Sequence, residues 1–289
     1  MHQYIREYRK KITVALIGVL FVGVVSIWYP ILSTESKRIL TVSFLDVGQG
    51  DAIFIETPSG RQILVDGGKD NRVLHQLNDA MPFWDRSIDV VVATHPDADH
   101  IGGLIEVLKR YRVDTFVHSG VAHDTEENTA LASLVAEKDV RSVLAKRGQV
   151  YDFGDGTTIT ILFPDRPVSA LESNAASIIA QVTFGKHSFL LTGDSPKMIE
   201  EYLLSLGGDQ LQSTVLKVGH HGSKTSSSPL FVGFVAPEYA VLSRGCDNRY
   251  GHPHEEVIAV LNSFEIATFD TCDDGRVTFT SNGQILQIK

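Results

Sequence analysis

The pattern of apolar and polar positions changes abruptly near residue 34. Residues Ile12 to Leu32 are 21 consecutive uncharged positions, which at 1.5 Å per residue is long enough to cross the hydrocarbon core of a bilayer. One acidic residue, Glu7, precedes this run together with the basic residues Arg6, Arg9, Lys10 and Lys11. The positive-inside rule then places the N-terminus in the cytoplasm and the rest of the chain outside it. We predict an uncleaved single-pass anchor in the cell membrane, with a cleaved signal peptide and a buried helix as alternatives.

After a linker at residues 34–39 the pattern becomes that of short strands separated by glycine-containing turns, with amphipathic helices between them. The predicted strands are Leu40–Val47, Ala52–Thr57, Gln62–Val65, Ile88–Thr94, Val113–Val117, Thr157–Phe163, Ser177–Phe184, Ser188–Leu191, Thr214–Val218, Tyr239–Leu242, Ala267–Asp270, Arg276–Thr280 and Ile285–Ile288. The predicted helices are Ile101–Tyr111, Asn128–Lys138, Pro196–Leu206 and His254–Phe264. This mixture predicts an α/β domain at residues 40–289, with two mixed sheets packed together and helices outside, preceded by a stub and anchor at residues 1–33.

Composition and charge narrow the class of protein. The chain has 289 residues, of which 43% are hydrophobic and 21% charged, so it is neither a disordered tail nor a disulfide scaffold. The formal net charge is −9, but residues 1–38 carry six basic and two acidic side chains, or +4, which leaves −13 for the rest. A domain with this negative net charge does not attract the phosphates of nucleic acid through its overall charge. Cys246 and Cys272 can pair in an oxidising compartment, although the sequence does not decide whether they do.

Two imidazoles and two carboxylates lie within six residues, at His95, Asp97, Asp99 and His100. They stand between an apolar strand and an amphipathic helix. Four ionisable groups this close repel one another or stay unpaired without a cation, and such nitrogen and oxygen ligands suit Zn²⁺ or Mn²⁺. They exceed what a short loop usually offers one ion, which favours two ions that share carboxylates. A solvated turn capped by Asp99 is the alternative, but it leaves the other three residues unexplained.

Further candidate ligands follow apolar strands elsewhere in the chain. Asp66 ends the segment ILVDGG, Asp194 ends FLLTGD, and His220 and His221 follow the strand in TVLKVGHHGS. Each alone is typical of an ordinary turn, but α/β enzymes place their sites at the carboxyl ends of strands. We therefore expect these groups to lie near the His/Asp loop. His252, in YGHPH before a predicted helix, is a candidate substrate contact.

Taken together, these segments resemble the metallo-β-lactamase superfamily and, within it, the C-terminal hydrolase domains of ComEC-type DNA-uptake proteins. The resemblance runs from about Leu40 to the end of the sequence. It rests on FLDVGQGDAIFI, ILVDGG, THPDADHIGG, SNAASII, FLLTGD, VGHHGSKTSS and NRYGHPH, which occur in the family's order. It implies an αββα sandwich with two divalent metal ions, Zn²⁺ or Mn²⁺, in the cleft between the sheets.

The resemblance also implies which residues hold the ions. His95 and Asp97 would hold the first ion, and Asp99 and His100 the second. Asp194 would bridge the two. One of the two consecutive histidines, His220 rather than His221, would complete the second site, and Asp66 would orient a ligand from behind.

Two departures from the family pattern affect the first site. The wider superfamily has a histidine where Asp97 stands, and ComEC-like members share the aspartate, so the richer oxygen donors favour Mn²⁺. The wider superfamily also has a histidine about twenty residues before the bridging aspartate, where this chain has Asn174. An amide oxygen is a weaker ligand than an imidazole. We therefore expect a first site that is loose, filled only with substrate, or selective for a harder ion.

The mechanism that the resemblance implies is hydrolysis of a phosphodiester by a water activated between two metal ions. Asp99 would orient that water or accept its proton. The groups expected to bind phosphate oxygens or protonate the leaving group are His221, Ser223, Lys224, His252 and the hydroxyls of residues 225–228. A basic groove around Lys217, Lys224, Arg244 and Arg249 would favour DNA as the substrate, whereas a narrow apolar pocket would favour a smaller one.

The sequence thus predicts a membrane-anchored, extracytoplasmic, metal-dependent nuclease. Its expected partners are DNA, the membrane and a separate competence channel protein. Two alternatives stay open. One is a hydrolase of the same fold for a β-lactam, lactone, thioester or phosphocholine ester, and the other is a non-catalytic accessory module of DNA uptake, which Asn174 favours.

Overall fold

The computed structural model describes residues 2–33, 39–121 and 123–289, and the chain divides into two compact units, residues 1–37 and 38–289. In the first unit, helix α1 runs from His2 to Ser33, and its large apolar side chains from Ile12 to Val25 are exposed. Within the described part of the chain, no helix combines the length and the apolar content of a membrane span. The end of the predicted anchor, beyond residue 26, and linker residues 34–38 lie outside the residues that are fully described.

The second unit alternates strands and helices. Its strands are β1 Leu40–Phe44, β2 Ile53–Glu56, β3 Gln62–Val65, β4 Ser87–Ala93, β5 Arg112–His118, β6 Arg141–Leu144, β7 Val150–Asp152, β8 Thr157–Phe163, β9 Ile179–Phe184, β10 His187–Leu191, β11 Val215–Lys217, β12 Tyr239–Leu242, β13 Ala267–Asp270, β14 Val277–Ser281 and β15 Leu286–Ile288. Its helices are α2 Arg72–Ala80, α3 Ala98–Arg110, α4 Glu126–Glu137, α5 Lys197–Gly207, α6 Pro229–Val235, α7 Glu255–Ser263 and α8 Thr271–Asp274. Short 3-10 turns occur at Asn174–Ala176, Gly208–Leu211 and Gly219–Gly222.

These strands form two mixed sheets. The first has the order β15-β14-β1-β2-β3-β4-β5-β6, and the second β13-β12-β11-β10-β9-β8-β7. In the first sheet β2 runs antiparallel between β1 and β3, while β4, β5 and β6 run parallel to β3. In the second sheet β10 to β13 are parallel, and β7 to β9 are antiparallel neighbours on their other side. The parallel strands of each sheet therefore end at a common edge.

Three apolar clusters hold the layers together. The inner faces of both sheets meet in a core that contains Phe44, Phe189 and Phe279, whose rings pack edge to face. A second cluster packs α2, α3 and α4 on the first sheet, and a third packs α5, α6 and α7 on the second. The architecture is therefore the predicted four-layer αββα sandwich.

The prediction omits five helices and strands that are present. Helices α2, α6 and α8 have only nine, seven and four residues, too few for a clear helical period along the sequence. Strands β6 and β7 lie at sheet edges and carry mostly exposed side chains, so neither shows a run of apolar residues. Edge strands lack the alternation that marks a buried strand.

Candidate metal centre

The candidate ligands lie in loops that follow parallel strands and meet at one edge of the sandwich. Asp66 directly follows β3, and His95 follows β4 after one residue. Asp194 lies three residues beyond the end of β10, and His220 three residues beyond the end of β11. The sequence rule that α/β sites form at the carboxyl ends of strands thus places these groups correctly.

One carboxylate oxygen stands at the middle of the cluster. Asp194 Oδ2 lies 3.3 Å from His100 Nε2, 3.3 Å from His221 Nε2, 3.5 Å from His220 Nε2 and 3.9 Å from His95 Nε2. Asp194, His95, His100 and His221 are buried, whereas His220 is partly exposed. Four imidazole nitrogens that converge on a bridging carboxylate form a ready ligand set for divalent ions.

Two carboxylates at the start of α3 flank this cluster on different sides. Asp97 is the N-terminal cap residue of α3, and its Oδ2 lies 3.7 Å from His95 Nε2. Asp99 is in the first helical turn, and its Oδ2 lies 3.6 Å from His221 Nε2. The Ser173 hydroxyl donates to Asp97 Oδ1 at 2.5 Å and fixes that side chain. The loop thus offers one carboxylate to each side of Asp194.

Asp66 orients the cluster from behind. Its two oxygens accept hydrogen bonds from the Thr94 backbone N–H at 2.8 Å and the Thr94 hydroxyl at 2.7 Å, and Oδ2 lies 2.8 Å from His100 Nδ1. That contact leaves His100 Nε2 free to face Asp194. The start of α3 comes close because Gly103 has no side chain, and a Cβ there would overlap the Gly67 carbonyl oxygen.

The two consecutive histidines lie in a tight turn, here called the histidine turn, at Gly219–Gly222. His220 and His221 both have left-handed backbone conformations, with φ of 48° and 54°. His221 Nδ1 lies 2.8 Å from the Ser243 carbonyl oxygen, to which it donates, and its Nε2 faces the cluster. The ring of His221 stacks on His100 at 5.2 Å between centroids.

A buried carboxylate holds the loop that follows the histidine turn. Glu200 on α5 accepts hydrogen bonds from the backbone N–H groups of Ser227 at 2.6 Å and Ser228 at 3.0 Å. Burial raises the pKa of Glu200 to about 7, because desolvation of the carboxylate outweighs these two hydrogen bonds. The Ser227 hydroxyl in turn accepts the Gly219 N–H at 3.1 Å.

Two members of the site were not assigned from the sequence. Asp51, from the FLDVGQGD segment, is buried, and its Oδ2 lies 2.5 Å from Nζ of Lys217. Lys217 has no exposed surface; it also donates to the Gly193 carbonyl at 3.2 Å and lies 3.8 Å from Asp194 Oδ1. The signals for this pair were a glycine-flanked aspartate between two apolar runs and a lysine at the end of an apolar strand. Each is weak until the fold brings them together.

The structure tests whether the four basic residues that would favour DNA share one groove. Lys217 faces the inside of the sandwich and cannot contact a nucleic acid, and Arg244 is mostly buried and pairs with Asp270 at 2.6 Å. The side chains of Lys224 and Arg249 are exposed. These four residues therefore do not form the groove that would have favoured DNA as the substrate.

The expected hydroxyl-rich phosphate loop is also corrected in part. The hydroxyls of Ser226, Ser227 and Ser228 are buried and used in bonds to the protein itself. Ser223 Oγ lies 3.0 Å from Thr225 Oγ1, which lies 3.1 Å from His220 Nδ1. This short chain therefore connects Ser223 to the histidine turn.

His252 lies beside the histidine turn, at 5.6 Å from the His220 ring and 6.4 Å from the His221 ring. Its Nδ1 is buried with no hydrogen-bond partner among the described residues. Burial and the neighbouring histidines lower the pKa of His252 to about 4. The loop that carries it is tied down by a Cys246–Cys272 disulfide, which settles the pairing that the sequence left open.

The residues present fit a metal centre, because several buried polar atoms lack a partner within the described chain. These atoms are His95 Nε2, His100 Nε2, His221 Nε2, Asp194 Oδ1 and Asn174 Oδ1. Unpaired buried polar groups are rare in folded proteins, and bound cations would satisfy the imidazole and Asp194 atoms that converge here. Asp51, His100, Asp194 and His221 have ligand atoms that all lie within 4.8 Å of one another.

Protons compete with cations for this site. Burial alone would lower the pKa of His100 and His221, but the Asp194 carboxylate, aided by Asp66 and Asp51 respectively, raises both well above the ordinary value. Metal binding requires these imidazoles to be neutral at Nε2, so the affinity for a cation is expected to rise with pH.

Comparison with known proteins decides the family. Residues 45–245 match the model of the metallo-beta-lactamase superfamily, which is more than half of the chain. The chain belongs to the metallo-beta-lactamase superfamily. This metallo-beta-lactamase match includes the His/Asp loop, Asp194 and the histidine turn.

Curated relatives of this metallo-beta-lactamase chain include proteins named for competence. "ComE operon protein 3" of Bacillus subtilis is 30% identical over 275 residues, which cover 89% of this chain and 34% of that protein. "Competence protein ComA" of Neisseria gonorrhoeae is 34% identical over 264 residues, 90% of this chain and 34% of that protein. "Recombination protein 2" of Haemophilus influenzae is 30% identical over 263 residues, 88% of this chain and 31% of that protein. The chain thus spans about a third of the length of these relatives.

Solved structures share the fold. The metallo-beta-lactamase fold protein YhfI from Bacillus subtilis has a TM-score of 0.54 at 15% identity, and 87% of this chain covers 100% of it. Igni18, a metallo hydrolase from Ignicoccus hospitalis, has a TM-score of 0.52 at 18% identity, with 83% and 98% coverage. With this fold and a buried Asp/His cluster, the metallo-beta-lactamase chain is a metal-dependent hydrolase related to competence proteins.

Proposed function

We propose that this chain is a membrane-anchored, extracytoplasmic phosphodiesterase that cleaves DNA with the help of two divalent ions. The convergence of four imidazole nitrogens on Asp194 Oδ2 carries the proposal, because it is a ligand set suited to metal-assisted hydrolysis. The names of the relatives, which refer to competence and recombination, support DNA as the substrate. The uncharged run at 12–32 supports the anchor, and the Cys246–Cys272 disulfide supports a location outside the cytoplasm.

The charge of the site supports two ions rather than one. Five carboxylates lie in or directly behind the cluster, and one buried ammonium, that of Lys217, opposes them. The five are Asp51, Asp66, Asp97, Asp99 and Asp194. The four negative charges that remain equal the charge of two dications, and the three carboxylates that are fully buried, Asp51, Asp66 and Asp194, most need such compensation.

The geometry favours a division of the ligands between the two ions. We assign His95 and Asp97, with the Asn174 amide oxygen, to the first ion. For the second ion we assign Asp99, His100 and His221 rather than His220, because His221 Nε2 lies 3.6 Å from Asp99 Oδ2 and its ring stacks on His100. Asp194 serves both.

The ions, when bound, supply an activated water and neutralise charge on the phosphoryl oxygens. Around them the chain's own groups orient the reactants. Asp99, whose Oδ2 lies 3.6 Å from His221 Nε2, would help to hold the second ion and orient the water. His252, whose pKa is about 4, is neutral near pH 7 and can donate its ring N–H to a phosphoryl oxygen.

DNA would be held mainly at the metal centre. The region after residue 38 carries a net charge of −13, and Lys217 is buried, so few basic groups are left to neutralise DNA phosphates. Each neutralised phosphate adds about one unit to the slope of log affinity against log salt. We therefore expect a shallow salt dependence of the Michaelis constant.

One observation favours a second candidate, a hydrolase of a small apolar ester or amide. A cavity of about 470 Å³ lies next to the cluster, with His95 and Pro96 in its wall and Phe116, Leu131 and Val135 as apolar lining. Pockets of this size and character bind small molecules. A β-lactam or thioester would fit such a cavity better than a nucleic-acid backbone does.

The test uses the full-length chain purified in detergent, reconstituted with Zn²⁺ or Mn²⁺. Bound metal is measured by plasma mass spectrometry, and hydrolysis is followed on single-stranded DNA, duplex DNA, bis(4-nitrophenyl) phosphate and a chromogenic cephalosporin. We expect about two ions per chain and cleavage of the phosphodiesters. Asp99→Asn should lose activity by at least about 100-fold while its circular dichroism stays unchanged.

Asp209→Asn is the matched control, since it removes an exposed carboxylate on another part of the surface. It should keep wild-type activity. Cleavage of the cephalosporin alone would favour the second candidate. Equal DNA cleavage by the wild type and Asp99→Asn would mean a contaminating nuclease and would reject the proposal.

A further inference from the structure

Two large aromatic side chains are exposed together at the edge of the sandwich. Phe83 and Trp84 lie in the loop between α2 and β4, and each is 73% exposed. Their rings pack edge to face at 4.8 Å between centroids, so they form one aromatic surface, here called the aromatic pair. An exposed pair of this size marks a contact site more often than a lone exposed leucine does.

The strand register places the aromatic pair at the same edge of the first sheet as the start of β1. The pairing register runs from β1 through β2 and β3 to β4, and it places Leu40, the first residue of β1, level with Ile88 near the start of β4. Neighbouring strands are about 4.8 Å apart, so three spacings put the start of β1 about 14 Å from the start of β4. The aromatic pair lies a few residues before β4.

The metal centre lies at the opposite ends of these same strands. His95 follows the end of β4, and Asp66 follows the end of β3. Strand β4 runs from Ser87 to Ala93, which at about 3.3 Å per residue separates the two edges by about 20 Å. Contacts made by the aromatic pair therefore leave the metal centre free.

The linker between the proposed anchor and β1 is six residues long. Residues 34–39 join the proposed anchor to β1 and span at most about 20 Å even when fully extended. This step rests on the membrane anchor of the proposed function. With that anchor, the start of β1 stays within about 20 Å of the bilayer, and the aromatic pair is at the same edge.

Several charges near this edge are paired with one another. Arg61 pairs with Asp89 at 2.6 Å, Arg112 with Asp114 at 3.6 Å, and Glu106 with both Lys109 and Arg110. The surface therefore has little net charge with which to attract anionic lipid. Tryptophan and phenylalanine favour the region between lipid headgroups and acyl chains, where an apolar ring and a polar N–H are both satisfied.

We propose that the aromatic pair, Phe83 and Trp84, inserts into the surface of a lipid bilayer and holds the metal centre on the side of the domain away from the membrane. The contact depends on aromatic insertion and not on lipid charge. It adds a second membrane attachment to the anchor.

The two tryptophans of the chain provide separate reporters for the two attachments. Trp28→Phe leaves Trp84 as the one fluorophore, and Trp84→Phe leaves Trp28, which lies within the proposed anchor. Each full-length variant is reconstituted into phosphatidylcholine vesicles with and without brominated acyl chains. We expect bromine to quench both reporters at least twofold, and the same quenching of Trp84 when anionic lipid is added.

Matched variants test the role of the pair. Phe83→Ser in the Trp28→Phe background should reduce the quenching of Trp84, whereas Met198→Ser, which removes an exposed apolar side chain on α5, should not. Equal quenching of Trp84 in the Phe83→Ser and Met198→Ser variants would count against insertion of the aromatic pair.

Each outcome separates the two proposals. Quenching of Trp28 without quenching of Trp84 leaves the anchor in place and refutes the aromatic contact. Quenching of Trp84 alone supports the contact and refutes the anchor. Quenching of neither refutes both. A blue-shifted Trp84 emission that bromine does not quench would indicate that a protein covers the pair, and would overturn the proposal.

Discussion

Replacing Lys217 with methionine tests whether a buried ammonium supports the metal centre. Lys217 has no exposed surface, and its Nζ lies 2.5 Å from Asp51 Oδ2. Methionine fills nearly the same space without a charge, so Lys217→Met leaves the Asp51 carboxylate buried without its cation. Removing one partner of a buried ion pair costs about 3–5 kcal/mol. We expect the free energy of unfolding to fall by that amount, measured by urea denaturation in excess chelator so that bound ions do not contribute.

The double variant Asp51→Asn/Lys217→Met is the control, because it removes both charges together. Its free energy of unfolding should return to within about 2 kcal/mol of the wild type, since replacing a whole buried pair is often nearly neutral. A loss below about 1 kcal/mol in Lys217→Met, or a double variant no more stable than the single one, would refute the reasoning. The first result would mean that Asp51 finds another partner or accepts a proton at little cost.

Three further predictions follow from other parts of the structure. Burial raises the pKa of Glu200 from 4.5 to about 7, so the stability that this carboxyl contributes is complete below pH 4.5 and is lost as the pH rises through 7. The difference in unfolding free energy between the wild type and Glu200→Gln should therefore shrink by about 3 kcal/mol from pH 4 to pH 8. A difference that stays constant in urea denaturation would contradict this. Asn174→Ala should lower the bound metal by about one ion per chain in plasma mass spectrometry, because it removes an unpaired buried oxygen, and an unchanged count would exclude Asn174 as a ligand. The Cys246–Cys272 disulfide joins residues that are 26 positions apart. Removing it should lower the free energy of unfolding by about 3 kcal/mol, whether by replacing both cysteines with serine or by adding a reductant. A larger loss in the serine variant than in the reduced wild type would mean that the serines themselves destabilise the fold.

Much of the architecture could be predicted because the buried strands carry strong signals. The β4 segment is a nearly continuous apolar run, which predicts a strand covered on both faces, and it is one. The rule that polar groups at strand ends share an edge also brought Asp66, His95 and Asp194 together. Hydrophobic periodicity and position at a strand end are enough to predict an element or a site residue when the signal lies within one short segment.

The remainder depends on contacts between distant segments, which one sequence does not reveal. Lys217 has the sequence context of a surface lysine, and the Asp51 carboxylate 2.5 Å away explains why it is buried. The choice between His220 and His221 likewise depends on the Ser243 carbonyl, which fixes the His221 ring from another strand end. Spacing along the chain cannot show which of two adjacent imidazoles turns inward.

The left-handed backbone at His220 and His221 gives the histidine turn two strained residues in succession, so we expect it to open before the strand beneath it. Each such non-glycine residue costs about 1–2 kcal/mol, and the turn holds two in succession. Local opening starts where the backbone is least stable, so amide hydrogens of the turn should exchange with solvent before those of β11 beneath it. An ion that fixes the His221 imidazole opposes this opening. Exchange rates at residues 219–222 would then report occupancy of the centre through the backbone alone, without any substrate.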